Sequence, residues 1–334
     1  MTVRVGVDVG GTFTKAVAFD LLAGHAVAEQ IVPTTHEAAD GVAAGVVQVV
    51  TALAEQLGAE RVEMVTHSTT QAVNALLEGD VAMVGMVGMG RSPDLRKSRK
   101  RTVEARIEVT PGRQLRVVTE FLDVTAGLDE ATAAAAVDRL VAAGAQAISV
   151  AEAFAPDDAR NELLVRAAAA ARGLPVSTSA ELTGLYGLEL RSVSAALNAS
   201  ILPIALRTAE VVAEGVARAG ISGPVMVMRG DGGATDLAGF RQAPARTLYS
   251  GPAASVAGVL RTVRLKDAIV LEVGGTSTNV AAIRRGRPGL SYVQVASHAT
   301  AVRAVDVRVL GVAGGSMLRV RRNKVYGVGP RSAH

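Results

Sequence analysis

The sequence predicts an α/β fold made of two similar halves. Strand-like and helix-like apolar patterns interleave along all 334 residues, which is typical of α/β proteins. Hydrophobic residues make up 49% of the chain and aromatic residues only 3%, so the core consists mainly of alanine, valine and leucine. The segment VDVGGTFTKAVAF at 7–19 recurs as LEVGGTSTNVAAI at 271–283, with six of thirteen positions identical. A length sufficient for two domains, with a change in composition near residue 180, predicts domains 1–180 and 181–334.

The sequence of the first half predicts short strands that alternate with helices. Runs of β-branched residues predict strands, and helical periodicity between Ser/Thr, Pro and Gly boundaries predicts helices. The predicted strands are Val3–Val9, Lys15–Asp20, His25–Val32, Val62–Thr66, Val81–Gly85, Ala147–Ala151 and Pro175–Thr178. The predicted helices are Glu37–Leu57, Ser68–Leu77, Asp129–Ala143 and Pro156–Ala171, the last with proline in its first turn. The polar, basic stretch 89–114 is punctuated by proline and glycine and predicts a loop.

The second half begins with a long helical region. Helical periodicity runs from about Leu188 to Ala219, and Pro203 predicts a break within it. A strand over Val225–Met228, a helix over Ser250–Leu260 and a strand over Ala268–Val273 follow. This last strand leads into the second copy of the repeated segment.

Composition and charge exclude several classes of protein. The chain has no cysteine, which rules out disulfides, thiolate nucleophiles and Cys-ligated zinc. No apolar run approaches the ~18 residues of a membrane helix, and the first residues lack a signal-peptide layout. We therefore expect a soluble cytoplasmic protein with no membrane contact. The net charge is +4, and basic runs lie at 96–101 and 319–324. They fit either a nucleic-acid contact or solvated loops, and without interleaved aromatics nucleic acid is not the expected partner.

Each copy of the repeated segment combines a strand acid with two glycines and hydroxyl residues. Asp8 and Glu272 are the acids. Glycines allow backbone amides to approach an anion, and successive amides with threonine hydroxyls can cradle phosphate oxygens. A nearby carboxylate can hold Mg²⁺ or orient a water molecule. A pair of ordinary hairpin turns is the alternative, but two copies in the same pattern favour phosphate binding from both sides of one cleft.

These segments resemble the two phosphate loops of the actin, sugar-kinase and heat-shock chaperone ATPase superfamily. GVAGGSM at 311–317 resembles the adenosine loop of that superfamily. The resemblance implies an actin-like, ribonuclease H-like fold of two domains, with duplicated phosphate-binding β-hairpins and a nucleotide cleft between the domains.

Further motifs resemble one branch, the hydantoinase A/5-oxoprolinase family. They are DVGGTFTK at 8–15, HSTTQAVNALLE at 67–78, SGPAAS at 250–255, EVGGTSTN at 272–279 and DVRVLGVAGGS at 306–316, in the family's order. The resemblance implies ATP-dependent hydrolysis of a cyclic amide or activation of a related carbonyl substrate such as a ketone. Phosphorylation of an amide oxygen would remove the resonance that protects the amide from water. It also implies ATP and Mg²⁺ as cofactors and a B-type partner subunit.

The candidate site residues follow from these motifs. Asp8 and Glu272 are the catalytic candidates, and Asp8 is also the metal candidate. The expected nucleotide contacts are Gly10, Gly11, Thr12, Phe13, Thr14, Lys15, Gly274, Gly275, Thr276, Ser277, Asn279, Gly311, Gly314 and Gly315.

A second set of polar residues has two interpretations. His67, Thr69, Thr70 and Asn74 can handle substrate or phosphate at a helix start, or can form a capping motif with Ser68 or Thr69 as the cap. Ser250 and Gly251 begin another helix and either cap it or face the nucleotide. Arg191 and Asn198, seven residues apart on one helical face, either reach the cleft or make an interdomain hydrogen bond.

Three positions depart from the family pattern. Lys15, Glu272 and Asn279 stand where the family usually has aspartate. Glu272 keeps the charge but displaces it, Lys15 reverses it and Asn279 cannot act as a base. These changes leave open an ATP-dependent enzyme, a nucleotide-binding regulatory or assembly paralogue, and a small-molecule kinase. The kinase is suggested by Lys15, but it usually carries a Cys-rich zinc motif that this chain lacks.

Overall fold

The computed structural model of the chain describes residues 2–10, 12–35, 41–69, 75–76, 79–104, 106–110, 112–263, 265–275 and 277–332. The strands are β1 Val3–Val9, β2 Phe13–Asp20, β3 His25–Pro33, β4 Val62–Thr69, β5 Val84–Gly90, β6 Glu108–Thr110, β7 Arg113–Gln114, β8 Val117–Asp123, β9 Ala147–Glu152, β10 Val176–Thr178, β11 Val225–Met228, β12 Ala234–Asp236, β13 Ala268–Val273, β14 Thr278–Arg284, β15 Arg287–Pro288, β16 Leu290–Val295, β17 His298–Val305, β18 Val307–Leu310, β19 Ser316–Arg321 and β20 Lys324–Ser332. The helices are α1 Val42–Leu57, α2 Leu95–Arg101, α3 Glu130–Ala142, α4 Arg160–Ala170, α5 Ser179–Leu182, α6 Leu188–Arg218, α7 Leu237–Gln242 and α8 Ser250–Val263, with short 3₁₀ turns at Ala59–Arg61 and Pro244–Thr247. The α/β class is confirmed.

The first sheet has six strands in the order β12-β11-β4-β1-β2-β3. β1 pairs antiparallel with β2 and parallel with β4. Alternate side chains of β1 are buried in one cluster with the apolar face of α1, because successive strand residues point to opposite faces of a sheet. The boundary that we predict near residue 180 precedes α6, yet β11 and β12 after it complete the sheet that β1 begins.

Helix α6 crosses the centre of the molecule. Its first half packs in a cluster with the parallel sheet β10-β9-β5-β8, and its last turns pack against the first sheet through Val212 and Val216. By length and composition this 31-residue helix is apolar enough to cross a membrane, but 67% of its most apolar window is buried inside this fold. Its hydropathy is therefore accounted for by packing in the protein core.

The third sheet carries the second copy of the repeated segment. β13, β14 and β15 form an antiparallel meander, and β18 pairs with the other side of β14. One face packs on α8 through Val270, Ala281 and Ile283. On β13, the alternate residues Ile269 and Leu271 remain more than 60% exposed. This sheet is therefore covered on one face among the described residues.

Several predicted elements differ from the structure. Stretch 89–114 contains helix α2 and the β6–β7 hairpin instead of a continuous loop. Strand β5 begins at Val84 and not Val81, and α4 begins at Arg160, after the predicted Pro156. Pro203 does not break α6, which continues through it. Proline removes one backbone donor, and burial of the surrounding helix between two sheets offsets that loss.

The motif that begins at His67 starts in a strand. Residues 67–69 belong to β4, which continues parallel pairing with β1 through Asp8 and Val9. The predicted helix start at Ser68 is therefore wrong, because Ser68 is held in the β ladder. Thr70 and Asn74 lie outside the described residues.

Candidate functional site

The first hairpin, formed by β1 and β2, closes in a tight turn at its glycines. The Gly10 amide donates to the Phe13 carbonyl at 3.0 Å, and the Thr34 hydroxyl donates to the Gly10 carbonyl at 2.8 Å. Asp8 and Lys15 are direct cross-strand partners. Thr12, Phe13 and Lys15 are exposed at this turn, and Gly11 lies outside the described residues. The turn therefore presents backbone and a lysine to solvent.

Asp8 is an exposed carboxylate positioned on one side. The Ser68 hydroxyl donates to its Oδ1 at 2.6 Å from the neighbouring strand β4. Among the described residues, no group donates to its Oδ2. One oxygen is therefore oriented by the protein, and the other is available to a ligand.

Thr14 faces away from this exposed side. Its side chain is fully buried, and its hydroxyl lies 3.4 Å from that of Thr34. A methyl group added at Gly45 of α1 would lie 3.0 Å from the Thr14 hydroxyl oxygen. The Thr14 hydroxyl thus packs between the sheet and α1, and only its backbone remains for the phosphate contact that we predict.

The second hairpin, formed by β13 and β14, repeats the turn of the first. The Gly274 amide donates to the Ser277 carbonyl at 3.0 Å, as Gly10 does to Phe13. The side chain of Glu272 is held at both oxygens, since the Ser255 hydroxyl donates to Oε1 at 2.9 Å and the Asn279 amide donates to Oε2 at 3.1 Å. Thr276 lies outside the described residues. Two chain segments 264 residues apart therefore adopt one backbone arrangement with differently held acids.

The glycine loop at 311–316 is attached to this second hairpin. The amides of Gly314 and Gly315 donate to the carbonyls of Gly274 and Gly275 at 3.0 and 2.8 Å. The Thr278 hydroxyl donates to the Val312 carbonyl at 2.6 Å. The glycines that resemble an adenosine loop and those that resemble a phosphate loop are thus joined in one unit, with Gly311 exposed beside them.

Helix α8 brings the two acids together. A methyl group added at Gly251, in its first turn, would lie 3.9 Å from Asp8 Oδ1. Ser255, four residues later, bonds Glu272. Four residues advance a helix by about 6 Å, so the two hairpins meet the same helix about one turn apart. Ser250, which precedes Gly251, is buried at the helix start.

His67 lies on the other face of β4 from Ser68. Its ring is 1% exposed and stands edge-on to Phe240 at 6.4 Å between centroids. Neither ring nitrogen has a hydrogen-bond partner among the described residues, and burial lowers the pKa of His67 to about 4. This placement separates His67 from the Asp8 carboxylate and gives no support to the binding role that we predict.

Arg191 and Asn198 make hydrogen bonds across the predicted domain boundary. The Arg191 guanidinium donates to the Ser179 hydroxyl and to the Glu152 carbonyl. The Asn198 amide donates to Ser177 at 3.0 Å and accepts from the Ala245 amide at 3.0 Å. Both side chains are almost fully buried, which agrees with the interdomain alternative and places neither at the acids.

Sequence reasoning missed two hydroxyls that position the acids. We considered Ser68 only as a helix cap, and we assigned Ser255 no role. A signal for Ser255 was present, because a serine at the second turn of the helix that begins SGP faces the same side as Gly251. The partner of that face depends on tertiary packing and could not be read from the sequence.

The residues present fit a nucleotide with its metal ion. Exposed glycine turns and a helix start supply backbone amides, the groups that bind phosphate. The described residues contain no cluster of three metal-binding side chains. Mg²⁺ in nucleotide sites commonly takes one or two carboxylates and completes its shell with phosphate and water, so a single exposed Asp8 matches that requirement.

Family models match nearly the whole chain. The model described as hydantoinase/oxoprolinase N-terminal region matches residues 4–173, and the model described as hydantoinase/oxoprolinase matches residues 191–334. The caprolactamase subunit alpha of Pseudomonas jessenii is 26% identical over 363 residues, which include 99% of this chain and 50% of that protein.

Two solved structures share the fold. The nucleotide-free acetone carboxylase, studied for ATP-dependent acetone carboxylation, has a TM-score of 0.73 at 21% identity and covers 99% of this chain and 51% of its own. The ATP-dependent caprolactamase from Pseudomonas jessenii has a TM-score of 0.73 at 22% identity, with coverage of 99% and 51%. The chain thus spans about half the length of the relatives that it matches.

Proposed function

We propose, from the premise that this chain belongs to the hydantoinase/oxoprolinase family, that it binds Mg-ATP and uses it to hydrolyse a cyclic amide. The family membership and the likeness to a protein named ATP-dependent caprolactamase support this reaction class. The half-length coverage makes the complete activity part of the proposal.

One observation carries the proposal: the carboxylates of two equivalent hairpins approach one helix about a turn apart. The Asp8 side lies beside Gly251, and Glu272 accepts from Ser255. Facing glycine turns at that spacing can hold a polyphosphate from both sides. A structural repeat without a ligand would not require its acids to converge on a shared helix start.

The residues then take distinct roles. The backbone amides of both hairpins would hold the phosphates, with Lys15 offsetting their charge. Asp8, free at one oxygen, would hold Mg²⁺ or orient a water molecule. The backbone of the loop at 311–315 would lie against adenosine. ATP supplies the phosphoryl group that weakens the amide, while the substrate carbonyl must reach the same cleft.

We further propose that a second polypeptide completes the reaction. The caprolactamase relative is named a subunit, and this chain matches half of its length. A partner subunit would then supply further groups to the active site.

The test is calorimetric titration of Mg-ATP into the purified chain, with phosphate release followed in the same samples. We expect binding by the wild type, and slow hydrolysis that Asp8→Asn abolishes without abolishing binding. Asp80→Asn, at another exposed aspartate, serves as the matched control and should behave as wild type. Absence of binding in the wild type would contradict the proposal.

A regulatory, weakly hydrolytic paralogue is the second candidate. The observation that favours it is Glu272, whose two oxygens are both occupied by internal hydrogen bonds. In this case Mg-ATP would bind to wild type and Asp8→Asn alike, and phosphate release would be absent or equally weak in both, even with candidate partner subunits added.

A further inference from the structure

A cavity opens beside the loop that follows β11. Its volume is about 480 Å³, within the range that holds small organic molecules. Its walls come from the loop at 182–185, the loop at 229–231, Arg246, Tyr292 and residues 301–303. None of the hairpin or glycine-loop residues described above lines it.

The charge in this cavity is unbalanced. Arg229, Arg246 and Arg303 line it with a single carboxylate, Asp231, which leaves two positive charges. Asp231 is committed to Arg229, whose guanidinium donates to both of its oxygens. No carboxylate of the described residues pairs with Arg246 or Arg303. Asp231 also attracts Arg246 and Arg303 electrostatically, but one carboxylate cannot balance three guanidinium groups, so the cavity keeps an excess of two positive charges.

The loop that carries the Arg229–Asp231 pair is fixed in place. The Gly233 amide donates to Asp231 Oδ1 at 3.0 Å, and the Arg229 amide donates to the Gly233 carbonyl at 2.8 Å. A methyl group added at Gly230 would lie 1.9 Å from the Leu248 carbonyl oxygen, so the loop packs directly on the segment before α8. This wall of the cavity is therefore formed before any ligand arrives.

Arg246 lines the cavity with a side chain that is partly exposed to solvent. It donates to the Leu182 carbonyl at 2.9 Å. Burial, together with the positive charge of Arg229, lowers the pKa of Arg246. The negative charge of a bound carboxylate would offset this destabilisation of the charged form, and guanidinium groups bind carboxylates through paired hydrogen bonds.

Part of the cavity lining is apolar. Leu185 and Tyr292 line the cavity with the arginines and are 37% and 46% exposed, whereas Leu182 and Val302 contribute little surface because both are buried. An inorganic anion would leave this surface without a partner, whereas an organic acid would cover it. The excess of two positive charges, together with the exposed side chains of Leu185 and Tyr292, selects the ligand class.

We propose that this cavity binds a small organic acid with two negative charges, recognised through its carboxylates by Arg246 and Arg303. The site uses no residue of the proposed nucleotide cleft, and this assignment does not depend on the chain hydrolysing ATP.

The experiment is calorimetric titration of succinate into the whole chain at low salt, without nucleotide. Uncharged succinamide and inorganic phosphate are titrated in parallel. We expect succinate to bind, succinamide not to bind, and phosphate to bind at least tenfold more weakly than succinate. Arg303→Gln, at an exposed strand position, should raise the succinate dissociation constant by about tenfold or more, as expected for a lost charge-assisted hydrogen bond.

Arg96→Gln, an exposed arginine on α2, is the matched control and should bind succinate as wild type. Arg246→Gln should lose binding while its circular dichroism spectrum and melting temperature show that it folds. Phosphate binding as tightly as succinate would overturn the organic ligand class. Equal succinate binding by wild type and Arg303→Gln would overturn the location, as would failure of succinate to bind at all.

Repeating the titration in saturating Mg-ATP distinguishes this site from the nucleotide cleft. Unchanged succinate affinity is expected, and competition by Mg-ATP would overturn the assignment of a separate site. If Mg-ATP itself does not bind, the proposed function fails, while the nucleotide-free titrations still decide this inference.

Discussion

The two glycine hairpins share a backbone turn and differ in how their acids are held. Gly10 and Gly274 each donate to the carbonyl three residues later at 3.0 Å. Asp8 accepts one side-chain hydrogen bond, whereas Glu272 accepts two from different elements. The comparison shows that the two hairpins share the turn and differ in their carboxylates: Asp8 keeps one oxygen without a donor among the described residues, whereas both oxygens of Glu272 are hydrogen-bonded.

The largest expected effect is on phosphate release, when the charge of either carboxylate is removed. Asp8→Asn should lower ATP-driven phosphate release by on the order of 100-fold or more, since the available carboxylate is lost. Glu272→Gln should lower it by less than about tenfold, because glutamine can still bond Ser255 and Asn279. Phosphate release at saturating Mg-ATP measures both, with Mg-ATP affinity as the control for binding. Equal losses in the two variants would contradict the division of roles.

The next prediction concerns the stability of the protein at acidic pH, which depends on His67 in the strand β4 beside the first hairpin. His67 adjoins Ser68, and burial lowers its pKa to about 4 from the usual 6.5. The unfolded chain therefore takes up a proton that the folded chain excludes, so stability is lost as pH falls from about 6.5 towards 4. The loss at the acid end is about 3 kcal/mol.

Urea unfolding between pH 4 and pH 7 measures this effect. His67→Leu should have a flatter dependence of the free energy of unfolding on pH than the wild type. His25→Leu, at an exposed histidine, should keep the wild-type slope. Parallel pH profiles for wild type and His67→Leu would count against the buried neutral imidazole.

A third substitution replaces the hydrogen bond between Asn279 and Glu272 in the second hairpin with repulsion between two carboxylates. Asn279→Asp places a second carboxylate next to Glu272, where the amide now lies at 3.1 Å. Like charges at this distance raise the pKa of the pair, so stability is present at acidic pH and lost as pH rises through the raised value. We expect a loss of about 1–3 kcal/mol in the free energy of unfolding at pH 7.

The measurement is chemical unfolding of wild type and Asn279→Asp at pH 4.5 and pH 7.5. The double variant Glu272→Gln/Asn279→Asp removes the repulsion and should recover most of the loss at pH 7.5. A loss that is the same at both pH values would indicate a packing defect instead of a charge effect.

The smallest expected effect comes from removing the serine hydroxyls that bond the two acids. Ser68→Ala removes the one side-chain donor to Asp8, and Ser255→Ala removes one of two donors to Glu272. Each should cost about 1 kcal/mol of stability, but only Ser68→Ala should also slow phosphate release, by roughly tenfold. Thermal unfolding and phosphate-release assays on the same preparations check this. A slower rate in Ser255→Ala alone would reverse the assignment.

The sequence predicted the parts of this fold that depend on local pattern. The strand β1 and the glycine turns follow from the run of β-branched residues and from the repeated segment. The family resemblance identified the glycine loop at 311–316, and its hydrogen bonds to the second hairpin then appear in the structure.

The remaining features depend on contacts between distant segments. Pro203 predicts a break, but tertiary packing keeps α6 continuous. Serine is a preferred helix cap, which favours a helix start at Ser68, but pairing of β4 with β1 places Ser68 in a strand beside Asp8. His67 reads as a site residue, and only the position of Phe240 reveals that its ring is enclosed. Local propensity contains no information about these partners.

Helix α8 limits which sequence changes the two hairpins can tolerate. Gly251 and Ser255 set the offset between the acids by helical phase, since each residue rotates the helix by about 100°. Loops elsewhere can lengthen without disturbing this offset, but one residue inserted between these two positions would turn Ser255 away from Glu272. The four-residue spacing between Gly251 and Ser255 thus fixes the offset of the two acids along α8. Substitutions elsewhere can alter either hairpin without changing this offset.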